Sequence, residues 1–112
     1  MGYYTRYKLD IFPVKERQKV VDWLKETADF CLYGNEWLVC LIEDPFNSDL
    51  TKWYNHDKDM RELSKHFSEL LFVLSGKGEE PGDIWIAYYK NGKAQIEQAK
   101  IQIDPFNPDL LE

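Results

Sequence analysis

The chain has 112 residues, carries a net charge of −6, and is 44% hydrophobic and 15% aromatic. That length makes one domain, 1–112, with apolar material for a core of its own, and the composition excludes a disordered chain. No apolar run approaches the roughly 18 residues of a membrane span, and Met1-Gly2-Tyr3-Tyr4-Thr5-Arg6 lacks the apolar stretch of a secretion signal, so a cytoplasmic protein is expected.

Tyr3, Thr5, Tyr7, Leu9 and Ile11 alternate with Tyr4, Arg6, Lys8, Asp10 and Phe12, the period of two that marks a strand with one buried face. Pro13 stops it. Val20, Val21, Leu24, Ala28 and Cys31 then recur at helical spacing among charged residues, which predicts a helix over 14–32 with Tyr33-Gly34-Asn35 as its stop. The run Trp37-Leu38-Val39-Cys40-Leu41-Ile42 is apolar throughout and reads as a strand buried on both faces. Cys31 and Cys40 sit in apolar surroundings and read as buried, reduced thiols.

Lys52-Trp53-Tyr54 is short and extended, and Asn55, His56 and Asp57 start a helix over 56–67 whose apolar stripe is Met60, Leu63 and Phe67. Leu70 to Leu74 and Ile84 to Tyr89 are strands, joined by a glycine-rich loop that holds Glu79, Glu80 and Asp83. Asn91-Gly92 is a hairpin turn, because both central residues of a type I′ turn need positive φ. In the returning strand Ala94 and Ile96 fall on one parity and Ala99, Ile101 and Ile103 on the other, which predicts a bulge or a break in pairing within 96–99.

Two segments nearly repeat: Asp44-Pro45-Phe46-Asn47-Ser48-Asp49-Leu50 and Asp104-Pro105-Phe106-Asn107-Pro108-Asp109-Leu110. Each follows an apolar run, and Asp-Pro suits a strand exit. The order strand–helix–strand, short strand–helix–strand, then hairpin, predicts an α+β domain of ferredoxin-like type. Its sheet is mainly antiparallel, with two helices on one face and a C-terminal hairpin extension.

The stretch Lys52-Trp53-Tyr54, the helix with Met60, Leu63 and Phe67, Gly76-Lys77-Gly78-Glu79-Glu80-Pro81-Gly82-Asp83-Ile84-Trp85 and Tyr89-Lys90-Asn91-Gly92-Lys93 resembles small phage and prophage proteins. More distantly it is similar to the YubB-like ferredoxin-like family of phages and plasmids, over residues 52–103. The shared motifs are structural, and the resemblance implies a fold and a setting in mobile elements but no activity.

Charge is unevenly distributed. Between Lys25 and Lys52 no residue is basic, while Glu26, Asp29, Glu36, Glu43, Asp44 and Asp49 are acidic and account for the whole imbalance. A one-signed patch repels duplex nucleic acid and steers basic partners. His56, Asp57 and Asp59 read as a helix cap rather than an acid–base cluster, and His66 lies out of register for a shared metal. The loop around Glu79 and Glu80 has neither the P-loop pattern nor a calcium-loop ligand series. No nucleophile–base pair, metal set or cofactor motif stands out, so no enzyme, catalytic residue, metal or cofactor is expected.

The expectation is an acidic accessory protein of a phage or mobile element that binds a host or phage protein with a basic surface. Inhibition of a host or defence nucleic-acid-binding protein is one form this takes. The contact residues expected are Glu36, Glu43, Asp44, Asp49, Glu79, Glu80 and Tyr88. The alternative is a ligand-binding module that holds a small nucleotide or oligonucleotide on an aromatic sheet face. A homodimer across the sheet is a third class.

Overall fold

The computed structural model describes residues 4–27, 30, 34–43, 50–51, 53, 55–100 and 103–112. Strand β1 (Thr5–Phe12) leads through a 3₁₀ turn (Val14–Glu16) into helix α1 (Arg17–Glu26), followed by α2 (Asn35–Glu43), β2 (Leu50–Thr51) and α3 (His56–His66). Strands β3 (Leu71–Gly78), β4 (Ile84–Lys90) and β5 (Lys93–Gln98) and a 3₁₀ turn (Pro108–Leu110) follow. The fold is α+β, and the sheet order is β2-β1-β3-β4-β5 with every neighbouring pair antiparallel. β2 adds only two residues to the edge of four longer strands.

The alternation of β1 places Thr5, Tyr7, Leu9 and Ile11 on a buried face. Register carries that face across the sheet: Leu9 lies opposite Leu74, Ile11 opposite Phe72, and Phe72 opposite Tyr89. α2 packs on β1, α3 packs on β3, β4 and β5, and α1 packs on α2. Trp23 of α1 meets His66 and Phe67 at ring-centroid distances of 4.2 and 5.8 Å, which ties the first helix to the end of the third. One core results, with Val20, Val21 and Leu24 of α1 and Met60 and Leu63 of α3 at its centre.

Several expectations need correction. The strand expected over Trp37–Ile42 is the helix α2. The described elements therefore do not form two βαβ units, and three helices replace the expected two. Lying between α1 and the sheet, α2 buries Leu38, Val39, Leu41 and Ile42. Burial of each is worth about 1.5–3 kcal/mol, which outweighs a β-preference that spans only about 1 kcal/mol. Exposed positions fall at Glu36, Cys40 and Glu43, at helical spacing, so the Cys40 thiol is exposed rather than buried. Cys31 lies outside the described residues.

The helix expected over 14–32 is α-helical only to Glu26. The Asn35 side chain donates to the carbonyls of Leu24 and Thr27 at 3.2 and 2.6 Å, satisfying acceptors at the end of α1. Gly34, at φ 125°, starts the next helix instead of stopping the first, and its carbonyl accepts from Leu38 N at 3.3 Å. No bulge interrupts β5, whose pairing with β4 is continuous from Lys93 to Gln98; the ladder ends there, within the expected 96–99, and Ala99 N makes a last bond to Ile84 O at 2.7 Å. The parity change has another cause. Ile103 is 86% exposed and belongs to no core face, while Ile101 lies outside the described residues. The second Asp-Pro-Phe-Asn segment thus follows no strand directly, and of the first only Leu50 is described.

The hairpin turn has the expected geometry, with Asn91 at φ 51° and Gly92 at φ 77°. Gly76 meets a different demand, since a Cβ there would overlap the indole of Trp85 on the neighbouring strand. Gly76→Ala is expected to lower stability in urea unfolding by about 1–3 kcal/mol, as overpacking does, whereas Cys40→Ser stays within about 0.5 kcal/mol. Equal midpoints for the two variants would show that the indole yields freely.

Candidate functional site

Among the described residues polar and aromatic groups come together at the α1–α3 end around His66 and Phe67 and at two places on the sheet, of which the latter two are the candidates. The first lies under the helices. Tyr7 (β1), Trp37 (α2), Trp53, His56 (α3) and Trp85 (β4) form one cluster: Tyr7 is 6.2 Å from Trp37, 5.5 Å from Trp53 and 6.1 Å from Trp85 between ring centroids. His56 stacks on Trp85 at 5.0 Å and 20°. Trp53 Nε1 donates to Asp59 Oδ2 at 2.7 Å, and the Tyr7 hydroxyl donates to the Trp53 carbonyl at 3.2 Å.

The acids at the start of α3 were expected to cap it. Asn55 is the N-cap residue but makes no side-chain cap bond. Asp59 is buried and holds Trp53, while Asp57 accepts from Arg61 Nε at 2.9 Å and from the Tyr89 hydroxyl at 3.2 Å. Burial, reinforced by the Asp57 carboxylate, pushes the Tyr89 hydroxyl far above its usual range, so it remains a donor. Ser64 Oγ accepts from Gly92 N at 3.0 Å, fastening α3 to the β4–β5 hairpin. These are tertiary ties, and among the described residues no group of three or more His, Cys, Asp or Glu is placed to hold a metal.

The second place is the opposite face of the sheet, which no described helix covers. Register builds it row by row: Asp10, Val73, Tyr88 and Gln95; Lys8, Ser75, Ile86 and Glu97; Arg6, Lys77 and Ile84. Phe12 lies opposite Leu71 at one end, and Lys90 opposite Lys93. Val73, Tyr88, Ile86 and Leu71 are half-buried, and Ile84 and Phe12 are exposed. Five basic side chains (Arg6, Lys8, Lys77, Lys90, Lys93) border this apolar strip, against the acids Asp10 and Glu97, in a chain of net charge −6.

Like charges directly opposite each other weaken a sheet, yet Arg6 faces Lys77 and Lys90 faces Lys93. Lys8 and Asp10 pair at 3.8 Å. At the hairpin end an open depression of about 530 Å³ is lined by Leu71, Tyr88, Lys90, Lys93 and Gln95, among others. Composition alone hid this face, because a net charge averages over surfaces that register separates.

The expected contact residues do not form one surface. Tyr88 lies on the open face, and Glu36 and Glu43 are exposed on α2, across the sheet from it. Glu43 is 3.9 Å from Lys25 of α1. Asp44 and Asp49 lie outside the described residues. Glu79 and Glu80 are exposed in the β3–β4 loop, where Glu79 Oε1 accepts from Tyr4 N at 3.2 Å. Gly78 N donates to Asp83 O at 2.8 Å and closes that loop. No helix of the described residues is long and apolar enough to cross a membrane. No family model, curated protein or solved structure matches this chain.

The aromatic cluster has one titratable consequence. The Nδ1 of His56 is buried without a hydrogen-bond partner among the described residues, and burial lowers the imidazole below its ordinary 6.5, partly opposed by Asp57 and Asp59. Above pH 6.5 both folded and unfolded chains hold a neutral ring. Below it the unfolded chain takes up a proton that the folded chain refuses, so stability falls with pH until the folded ring also titrates. Urea unfolding at pH 7.5 and 5.5 is expected to show a larger loss for the wild type than for His56→Phe, which keeps a ring on Trp85 but cannot titrate. Equal losses would place the imidazole in water.

Proposed function

We propose that this protein is a small accessory protein of a phage or other mobile element that works by binding another protein, with the open sheet face as its contact surface. One observation carries this reading: a strip of Val73, Tyr88, Ile86 and Ile84 that no described helix covers is bordered by five bases in an acidic chain. An apolar centre with a charged rim is the anatomy of a protein interface. The partner that fits it presents acidic and apolar side chains together. The resemblance to small phage proteins over residues 52–103 supports the setting.

A second reading has its own support. Bases around the Tyr88 ring also suit a nucleotide or oligonucleotide, with phosphates on the lysines and a base against the phenol. A basic-surfaced partner would use Glu36, Glu79 and Glu80 instead.

Pull-down from host lysate separates these readings. The variant Tyr88→Ser/Lys90→Glu/Lys93→Glu is expected to lose the captured partner by about tenfold or more, an effect of about 1.4 kcal/mol. Glu36→Gln/Glu79→Gln/Glu80→Gln is expected to retain it. Nuclease-sensitive capture would favour the oligonucleotide. Wild-type recovery by the sheet-face variant would overturn the use of this face.

A further inference from the structure

We propose that residues 103–112 of a second copy of this chain occupy the open sheet face, so that two copies exchange these segments reciprocally. The proposal rests on the reading of that face as a binding surface and names one occupant for it.

Residues 103–112 carry four large apolar side chains without cover: Ile103 is 86% exposed, Phe106 76%, Leu110 71% and Leu111 70%. Single exposed apolar residues are ordinary, but a concentration of them marks an interaction segment. The segment is also acidic: Asp104, Asp109 and Glu112 are present, and no base follows Lys100. It holds a local shape, since Asn107 Oδ1 accepts from Asp109 N at 3.0 Å and starts the Pro108–Leu110 turn. An acidic apolar segment and a basic apolar face are complementary in both charge and hydropathy. The depression beside Tyr88 offers a seat for an apolar side chain, with Lys90 and Lys93 at its edge to meet a carboxylate.

Chain direction favours a second copy over the chain's own segment. β5 runs from Lys93 at the hairpin to Gln98 at the other end of the sheet, roughly 17 Å away at about 3.4 Å per residue. The segment therefore leaves the sheet far from the depression, and its apolar side chains are exposed rather than folded back. Another copy delivers the same segment without a reversal. Reciprocal exchange gives a two-fold dimer, the commonest closed assembly.

Cross-complementation tests the exchange. One variant reverses the face (Lys90→Glu/Lys93→Glu), and another reverses the segment (Asp104→Lys/Asp109→Lys). By sedimentation, the wild type is expected to be a dimer that weakens with salt, and each variant alone to dissociate at least about tenfold more readily. Mixed, the acidic face meets the basic segment and the native face meets the native segment. A one-to-one heterodimer is then expected by native mass spectrometry, which a folding defect could not produce. A monomeric wild type, a dimer that survives removal of residues 103–112, or failure of the mixture to pair would each overturn the exchange. Capture of another partner through the sheet face would stand in all three cases, so the two failures are distinct.

Discussion

The indole of Trp85 lies where any side chain at position 76 would be, and much of the fold follows from that overlap being avoided. Gly76 sits opposite Trp85 in the β3–β4 ladder, which lets the ring lie over the sheet and meet His56 face to face. Through His56 and Tyr7 the contact reaches Trp53 and Trp37, so one aromatic cluster joins β1, α2, the approach to α3, α3 itself and β4. Edge-to-face aromatic pairs contribute about 0.5–1.5 kcal/mol each beyond the area they bury. A cluster with members on two helices and two strands therefore makes the helical layer and the sheet cooperate. It also commits that layer to one side of the sheet.

Polar ties complete the arrangement. Asp59 meets Trp53 and Asp57 meets Tyr89, so carboxylates that sequence logic assigns to a helix end serve the tertiary structure. Both still lie in the first turn of α3, where negative charge is favourable. The two roles coexist, and a cap-like spacing cannot exclude the second. The ties from Ser64 and Arg61 to Gly92 hold the β4–β5 hairpin against α3, which fixes where Lys90 and Lys93 project on the other side.

Elements whose polar and apolar residues alternate regularly are legible, and the unbroken apolar run of α2 is not. β1 and α3 each show solvent one side, so their periods of two and of three to four are visible in the sequence. β3 and β4 were found from their apolar runs, and the hairpin from Asn91-Gly92, whose φ values leave few alternatives. α2 failed because it is nearly surrounded: an apolar run does not reveal its period when only Glu36, Cys40 and Glu43 reach solvent. That spacing was the available signal, and Cys40, being apolar enough to pass as core, concealed it. At the end of β5 the error was opposite in kind. Ile103 reads as core because it is apolar, although it is 86% exposed. For the candidate site, Tyr88 was identified, since adjacent tyrosines on one strand must point to opposite faces. The bases around it were missed because Arg6, Lys8, Lys77, Lys90 and Lys93 come from four strands that only register brings together.

The charge arrangement then asks why the open face keeps its bases. Folding alone favours alternation of sign across a sheet, since opposite-charge cross-strand pairs contribute roughly 0.2–1 kcal/mol and like pairs oppose pairing. Lys8 and Asp10 follow that preference, but Arg6 with Lys77 and Lys90 with Lys93 do not. Water and salt soften the repulsion at exposed positions without reversing its sign. A lysine at each edge is sufficient to discourage strand addition, yet bases continue across the width of the sheet beside an apolar strip. Solubility does not require them either, because the rest of the chain is strongly acidic. Repulsion that serves neither folding nor solubility is relieved when carboxylates or phosphates settle between the bases, and the same event removes Val73, Ile86 and Ile84 from water. On the proposed reading, electrostatic relief and apolar burial act on one surface and in one direction.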